Sequence, residues 1–258
     1  MMHREDSEGL IVVKQPSHAW MSGQMARVWG NEDFGHFEPW AEVCLGAEQH
    51  DIGWLLWEES PTLNAHIGRP HNFFEVPVAT HTNLWTRGVQ LALSFGNYPA
   101  LLVSLHGVSL YSSHHRQASP DEARLIQDFI AQQQRFQEER LTCLRHDPHY
   151  APYTTSETVT RNQQLVRALD RLSLAMCMGI ETEQLIEAPA AQGTTTLKLK
   201  ADGDSKRFTL SPWPFKQDRV VVVGEGHRLP ETFADEQAMR SALAQAPRVT
   251  LQFILERI

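Results

Sequence analysis

From Pro39 onward, Trp40, Val43, Cys44, Ala47 and Trp54 recur at the offsets of three, four and seven that build one face of a helix, and His50 and Asp51 lie on the same stripe. A buried face that carries a histidine beside an aspartate needs a chemical reason. The same periodicity places His18, Met21, Met25 and Val28 on a helix that starts at Pro16-Ser17, behind a strand at Leu10 to Lys14. A further helix is expected near His81 with Trp85, Gly88 and Ala92 on one side, and ALLVSLHGVSLY reads as a buried helix containing His106. Ser119, Pro120 and Glu122 supply an N-cap, a first-turn proline and a capping-box partner for the next helix. The last long helix, about Glu157 to Met178, aligns Val166, Leu169, Asp170, Ser173 and Cys177, so a carboxylate again interrupts an apolar stripe.

After Pro189 the pattern changes to alternation. TTTLKLKADGDSKRFTL predicts two strands turned at Asp202-Gly203-Asp204, and Val220 to Val223 and Val249 to Leu255 predict two more, with a short helix from Asp235 to Ala244 between them. The expected fold is therefore mainly α: a helical metal-binding domain over residues 1–187 and a small β-rich (α+β) subdomain over 188–258, with the strand at 10–14 available to its sheet. Glu58 to Thr80, with Pro61, Pro70 and Pro77, reads as a long loop over a site, where Phe73 and Phe74 exclude water and Arg69 or His71 meets an anion.

Composition narrows the function classes. With 41% hydrophobic and 21% charged residues the chain is globular, and a formal net charge of −8 argues against an extended nucleic-acid surface. Three scattered cysteines form neither a disulfide framework nor a zinc knuckle. The first residues, MMHREDSEGL, lack an apolar signal region and no apolar run reaches membrane-spanning length, so a cytoplasmic protein without a membrane partner is expected. Homo-oligomerisation stays open. Thirteen histidines make metal chemistry worth testing and also raise the number of chance motifs.

Candidate ligands fall on the inward faces of the expected helices: His18, His50, Asp51, His81, His106 and Asp170. Buried charges need partners, and a divalent ion, or two, satisfies several at once. Two carboxylates among six ligands leave a positive site suited to a small anionic, phosphorylated substrate. Iron, manganese, zinc, cobalt, nickel and magnesium are all compatible ions.

Helical His18, the His50-Asp51 pair, His81 with His106, and the distant Asp170 resemble the ligand order of the HD-domain superfamily of metal-dependent phosphohydrolases. AEQHDIGW and ALDRLSLAM look like its HD helix and terminal-Asp helix, over about residues 16 to 180. More narrowly, LIVVKQPSHAWMSGQMARVWG with HDIGW and VSLHGVSL is similar to a bacterial family of uncharacterised proteins within that superfamily. Trp54 stands where a lysine often follows the HDxG pattern, and no GYP-type motif appears, so no particular substrate carries over. The resemblance implies an HD-like helical bundle and an enzyme in which His50 and the bridging Asp51 carry catalysis through a metal-bound hydroxide acting on a phosphoester.

Blander explanations stand beside each element. A core histidine bonded to a backbone carbonyl also explains His81 or His106, and His71 is an alternative to His81. His114 and His115 suit an exposed loop as well as a substrate contact, and Arg69 and Arg116 suit an ordinary surface as well as a phosphate grip. Two other functions fit the same residues: a di-iron oxygenase similar to the inositol-oxygenase branch, and a non-catalytic metal- or ligand-binding module.

Overall fold

The computed structural model describes residues 1–111 and 118–257. A hairpin of β1 (Met2–Asp6) and β2 (Gly9–Val13) leads into α1 (Gln15–Val28), where Pro16 occupies the first turn and sacrifices no helical hydrogen bond. Next, α2 (Trp40–Gln49) stops at His50, and a 3₁₀ turn over Ile52–Trp54 connects it to the short α3 (Leu55–Glu58). The two-residue strands β3 (Leu63–Asn64) and β4 (Arg69–Pro70) precede a 3₁₀ turn over Phe73–Glu75, closed by a capping box between Asn72 and Glu75. Then come α4 (Val78–Ala92), α5 (Asn97–Tyr111) and α6 (Pro120–His146), the last entered through the expected Ser119–Glu122 capping box. After α7 (Ser156–Met178) the chain makes β5 (Gln184–Pro189), β6 (Thr194–Asp202), β7 (Asp204–Ser211), β8 (Arg219–Leu229), α8 (Glu236–Gln245) and β9 (Arg248–Arg257).

The expectation of a mainly α, HD-like bundle with a minor β appendage is corrected here. The structure is 51% helix and 22% strand, a mixed α/β fold with a curled seven-stranded sheet ordered β1-β2-β8-β9-β7-β6-β5. Neighbouring strands run antiparallel except β7 and β9. Helical periodicity located the helices, but MMHREDSEGL and QLIEAP carry too few alternating apolar residues to announce β1 and β5.

One face of this sheet is the floor on which the helices sit. Val220, Val222, Leu251, Phe253, Leu197 and Phe208 are buried together with residues of α1, α2, α5 and α7 in one hydrophobic cluster. Polar side chains fix where α1 lies on that floor. Ser17 Oγ donates to the Glu225 carbonyl and accepts the Glu225 N–H, both at 2.8 Å, and Gln24 makes the same two-way contact with Val223. Gly224 lets the helix approach, since a Cβ there would lie 2.9 Å from Met21 Sδ. At the far end, buried Arg4 of β1 donates to the Met176 carbonyl at 2.8 Å, satisfying the open C-terminus of α7.

Gly53 and Gly88 bring the segment after the His-Asp pair into backbone contact with α4. A Cβ on Gly53 would lie 2.1 Å from the Leu84 carbonyl oxygen, and one on Gly88 would lie 3.1 Å from Gly53. The obstacle is backbone, which cannot rotate away. Gly53→Ala should therefore lower stability by about 3 kcal/mol or more, a fall in Tm of about 10 °C for a chain of this size. Thermal unfolding checks this; Gly88→Ala should act in the same direction and less strongly, and an unchanged Tm for Gly53→Ala would refute the close approach.

Candidate metal centre

Five buried side chains meet where α1, the end of α2, α5 and α7 converge: His18, His50, Asp51, His106 and Asp170, none more than 5% exposed. Among the described residues, two trios hold donor atoms within 4.8 Å of one another, His18 with His50 and Asp51, and His50 with His106 and Asp170. His18 Nε2 is 2.7 Å from Asp51 Oδ2, and His50 Nε2 lies 3.6 Å from that same oxygen and 3.3 Å from Asp170 Oδ1. His106 Nε2 is 3.8 Å from Asp170 Oδ2.

The helix must break for the His-Asp pair to act together. Adjacent residues on an α-helix point about 100° apart, but α2 ends at His50 and Asp51 takes φ −106°, ψ 17°, so both side chains turn into one space.

Hydrogen bonds fix which ring nitrogen of each imidazole faces the cluster. His50 Nδ1 donates to the Ala47 carbonyl at 2.7 Å, so Nε2 is the nitrogen that faces the carboxylates and would take an ion on losing its proton. Ser173 Oγ donates to the Asp170 carbonyl at 2.9 Å, so it accepts from His18 Nδ1, also at 2.9 Å, and from Ser22 Oγ. His18 thereby directs Nε2 toward Asp51. Among the described residues, buried His50 Nε2 has no hydrogen-bond partner although carboxylate oxygens surround it, and buried His106 Nδ1 has none either. Imidazoles and carboxylates gathered around an unsatisfied nitrogen fit a first-row divalent ion.

The electrostatics agree with the geometry. Burial pushes the His50 pKa down, but the Asp51 and Asp170 carboxylates overcome it and raise the value to about 9. Burial alone would raise Asp51 and Asp170, yet the facing histidines hold both below the usual carboxylate range. His106 falls to about 4 because burial dominates the attraction of Asp170. Two carboxylates out of water, with only imidazoles beside them in the two trios, form a dry donor set that a divalent cation would satisfy.

The cluster opens into a cavity of about 360 Å³ lined by Asp51, His106 and Asp170 on one side and by Trp54, Phe73 and Phe74 among others. His81 lines this cavity but belongs to neither trio; its Nδ1 is 2.6 Å from the Tyr111 hydroxyl, and its ring packs against Trp54. Part of the expected loop, Phe73 to Val76, reaches the wall, held by Phe73 N–H on the Met1 carbonyl. Arg69 and His71 are not brought there: Arg69 binds Glu5 and the Glu231 carbonyl, and His71 bonds Thr62. His114, His115 and Arg116 lie outside the described residues.

Sequence reasoning missed the roles of Ser173, Gln15, Trp85 and Tyr111. Ser173 did carry a signal, three positions after Asp170 on the same face, whereas Tyr111 meets His81 only through the packing of α4 on α5.

Ser173→Ala should weaken divalent-metal affinity about ten- to hundred-fold with the far-ultraviolet circular dichroism unchanged; calorimetric titration measures it, and unaltered affinity would remove the orienting role. The sign of the pH effect follows from His50. Below about 9 its Nε2 carries a proton that an ion must displace, so apparent affinity should climb up to about tenfold per pH unit through the neutral range and level off above it. A pH-independent affinity would contradict ligation by His50.

The sequence profile of the family described as "Protein of unknown function (DUF3891)" matches residues 1–231, which include all five cluster residues. No curated protein and no solved structure matches the chain. By that match, which spans most of its length, the chain belongs to the DUF3891 family.

Proposed function

We propose that the protein is a metal-dependent hydrolase acting on a phosphoester, with the ligand order of the HD superfamily on a mixed α/β fold. The observation that carries this reading is the buried His18–His50–Asp51–His106–Asp170 cluster opening through Asp51, His106 and Asp170 onto a cavity large enough for a small molecule. A structural ion enclosed by its ligands has no use for such an opening, which speaks against a non-catalytic module.

His50 is shared by the two trios and presents a single Nε2 lone pair, so the arrangement favours one ion held by His18, His50, Asp51 and Asp170, with His106 completing the set. When bound, a divalent ion supplies Lewis acidity and lowers the pKa of a coordinated water. Asp51 and Asp170 would supply the negative charge that retains the ion, and the second oxygen of Asp51, which lines the cavity, would accept a proton from the attacking water. His81, on the cavity wall and bonded to Tyr111, would protonate the departing alkoxide.

The apolar cavity walls favour one second reading, an oxygen-using iron enzyme, because such walls keep water from a reactive centre. Oxygen consumption and iron content separate it from the hydrolase.

Protein purified without added metal should contain about one equivalent of a divalent ion by elemental analysis and should cleave at least one member of a phosphoester panel. Asp51→Ala and Asp170→Ala should each lose the ion and reduce turnover by about a thousandfold or more, while His149→Ala, an exposed histidine, should retain both. Absence of the ion and of turnover under both metal-replete and aerobic iron-loaded conditions would sink the enzymatic readings.

A further inference from the structure

We propose that the cavity selects a substrate with an uncharged, largely apolar body and a single anionic head at the His/Asp cluster. The identity of that head as a phosphomonoester rests on the hydrolase reading; the character of the body does not.

Charge on the cavity wall is the first argument. Phosphate groups are usually gripped by arginine or lysine, yet among the described residues that line the cavity there is neither, and the carboxylates there are Asp51, Asp170 and Glu122. A bound cation at the cluster can neutralise one head group. Against the described wall, further phosphates along the substrate would meet acids and apolar surface without a lysine or arginine, an arrangement that desolvation penalises heavily. Nucleoside di- and triphosphates are therefore poor occupants.

The remaining wall is made for carbon. Trp54, Trp85, Phe73, Phe74, Leu110 and Ile126 contribute aromatic and aliphatic surface around a space of about 360 Å³. Burying a methylene there is worth about a fourfold gain in affinity.

Away from the cluster, two of the residues that line this surface carry a buried polar atom without a partner among the described residues. Gln15 and Trp85 both line the cavity, are 2% and 3% exposed, and among the described residues leave Gln15 Oε1 and Trp85 Nε1 without hydrogen-bond partners. Both residues are held firmly. Glu58 accepts the Gln15 backbone N–H at 2.9 Å, and the Trp85 ring lies over Gly107, where a Cβ would come within 2.8 Å of it, with its centroid 5.5 Å from that of His106. An unmet acceptor and an unmet donor, both buried, are features that a hydroxyl or amide on the substrate body would satisfy. The class that fits is a monoester of an apolar alcohol bearing at most a neutral polar group.

The test uses the metal-loaded full chain and two parallel series. Ethyl, butyl, hexyl and octyl phosphonates, which cannot be hydrolysed as esters, are titrated by tryptophan fluorescence or calorimetry; the matching alkyl phosphates, glycerol phosphate and a nucleoside monophosphate are assayed for phosphate release. Affinity is expected to rise about fourfold per added methylene until the cavity is full, with glycerol phosphate and the nucleotide disfavoured. Phe74→Ala, at a side chain 65% exposed and so unneeded for the core, should flatten the gain for the longer chains. Affinity independent of chain length, preference for the hydrophilic phosphates, or no binding of any phosphonate overturns the inference. Chain-length-dependent binding without cleavage of any ester supports it and removes the hydrolase reading; cleavage without chain-length dependence does the reverse.

Discussion

Two carboxylates taken out of water at one point govern the centre of this molecule. Asp51 and Asp170 are almost fully buried, and an isolated buried carboxylate is unfavourable by several kcal/mol. Three imidazoles from three different parts of the chain come close enough to offset that penalty, and each is itself oriented by a second bond or by packing. The cluster is stable only if α1, the end of α2, α5 and α7 are all in register. That requirement couples the chemistry to the whole fold.

Much of the remaining architecture serves that register. The sheet fixes α1 through the Ser17 and Gln24 contacts with β8, and β1 anchors the end of α7 through Arg4. Gly53 and Gly88 allow α4 to lie against the turn that follows Asp51, which places His81, Trp85 and the cavity wall beside the cluster. Strands distant in sequence from the site thus determine where its ligands sit, because helices with apolar undersides take their positions from the surface beneath them.

The same burial separates binding from recognition. Charge is concentrated at the cluster, while the described wall of the cavity that leads to it is largely aromatic and aliphatic, with Gln15 Oε1 and Trp85 Nε1 unpartnered among the described residues. A site built this way assigns the anionic end of a ligand to the His/Asp cluster and leaves discrimination to shape and apolar contact.

By itself the sequence determined the helices and the residues that interrupt their apolar faces. His18, His50, Asp51, His106 and Asp170 were legible because 3.6-residue periodicity marks which side of each helix faces inward, and a polar residue there stands out. Capping at Ser119 and the turn at Gly203 were legible for the same local reason. Tertiary structure alone decided what periodicity cannot encode. It built a seven-stranded sheet from both ends of the chain, when β1 and β5 carry little pattern of their own. It broke the helix at His50 so that neighbouring side chains converge, gave His81 to Tyr111, and tied Arg69 to Glu5. Each of these outcomes depends on distances between segments far apart in sequence, fixed by packing and pairing, whereas a local pattern specifies only which way a side chain faces.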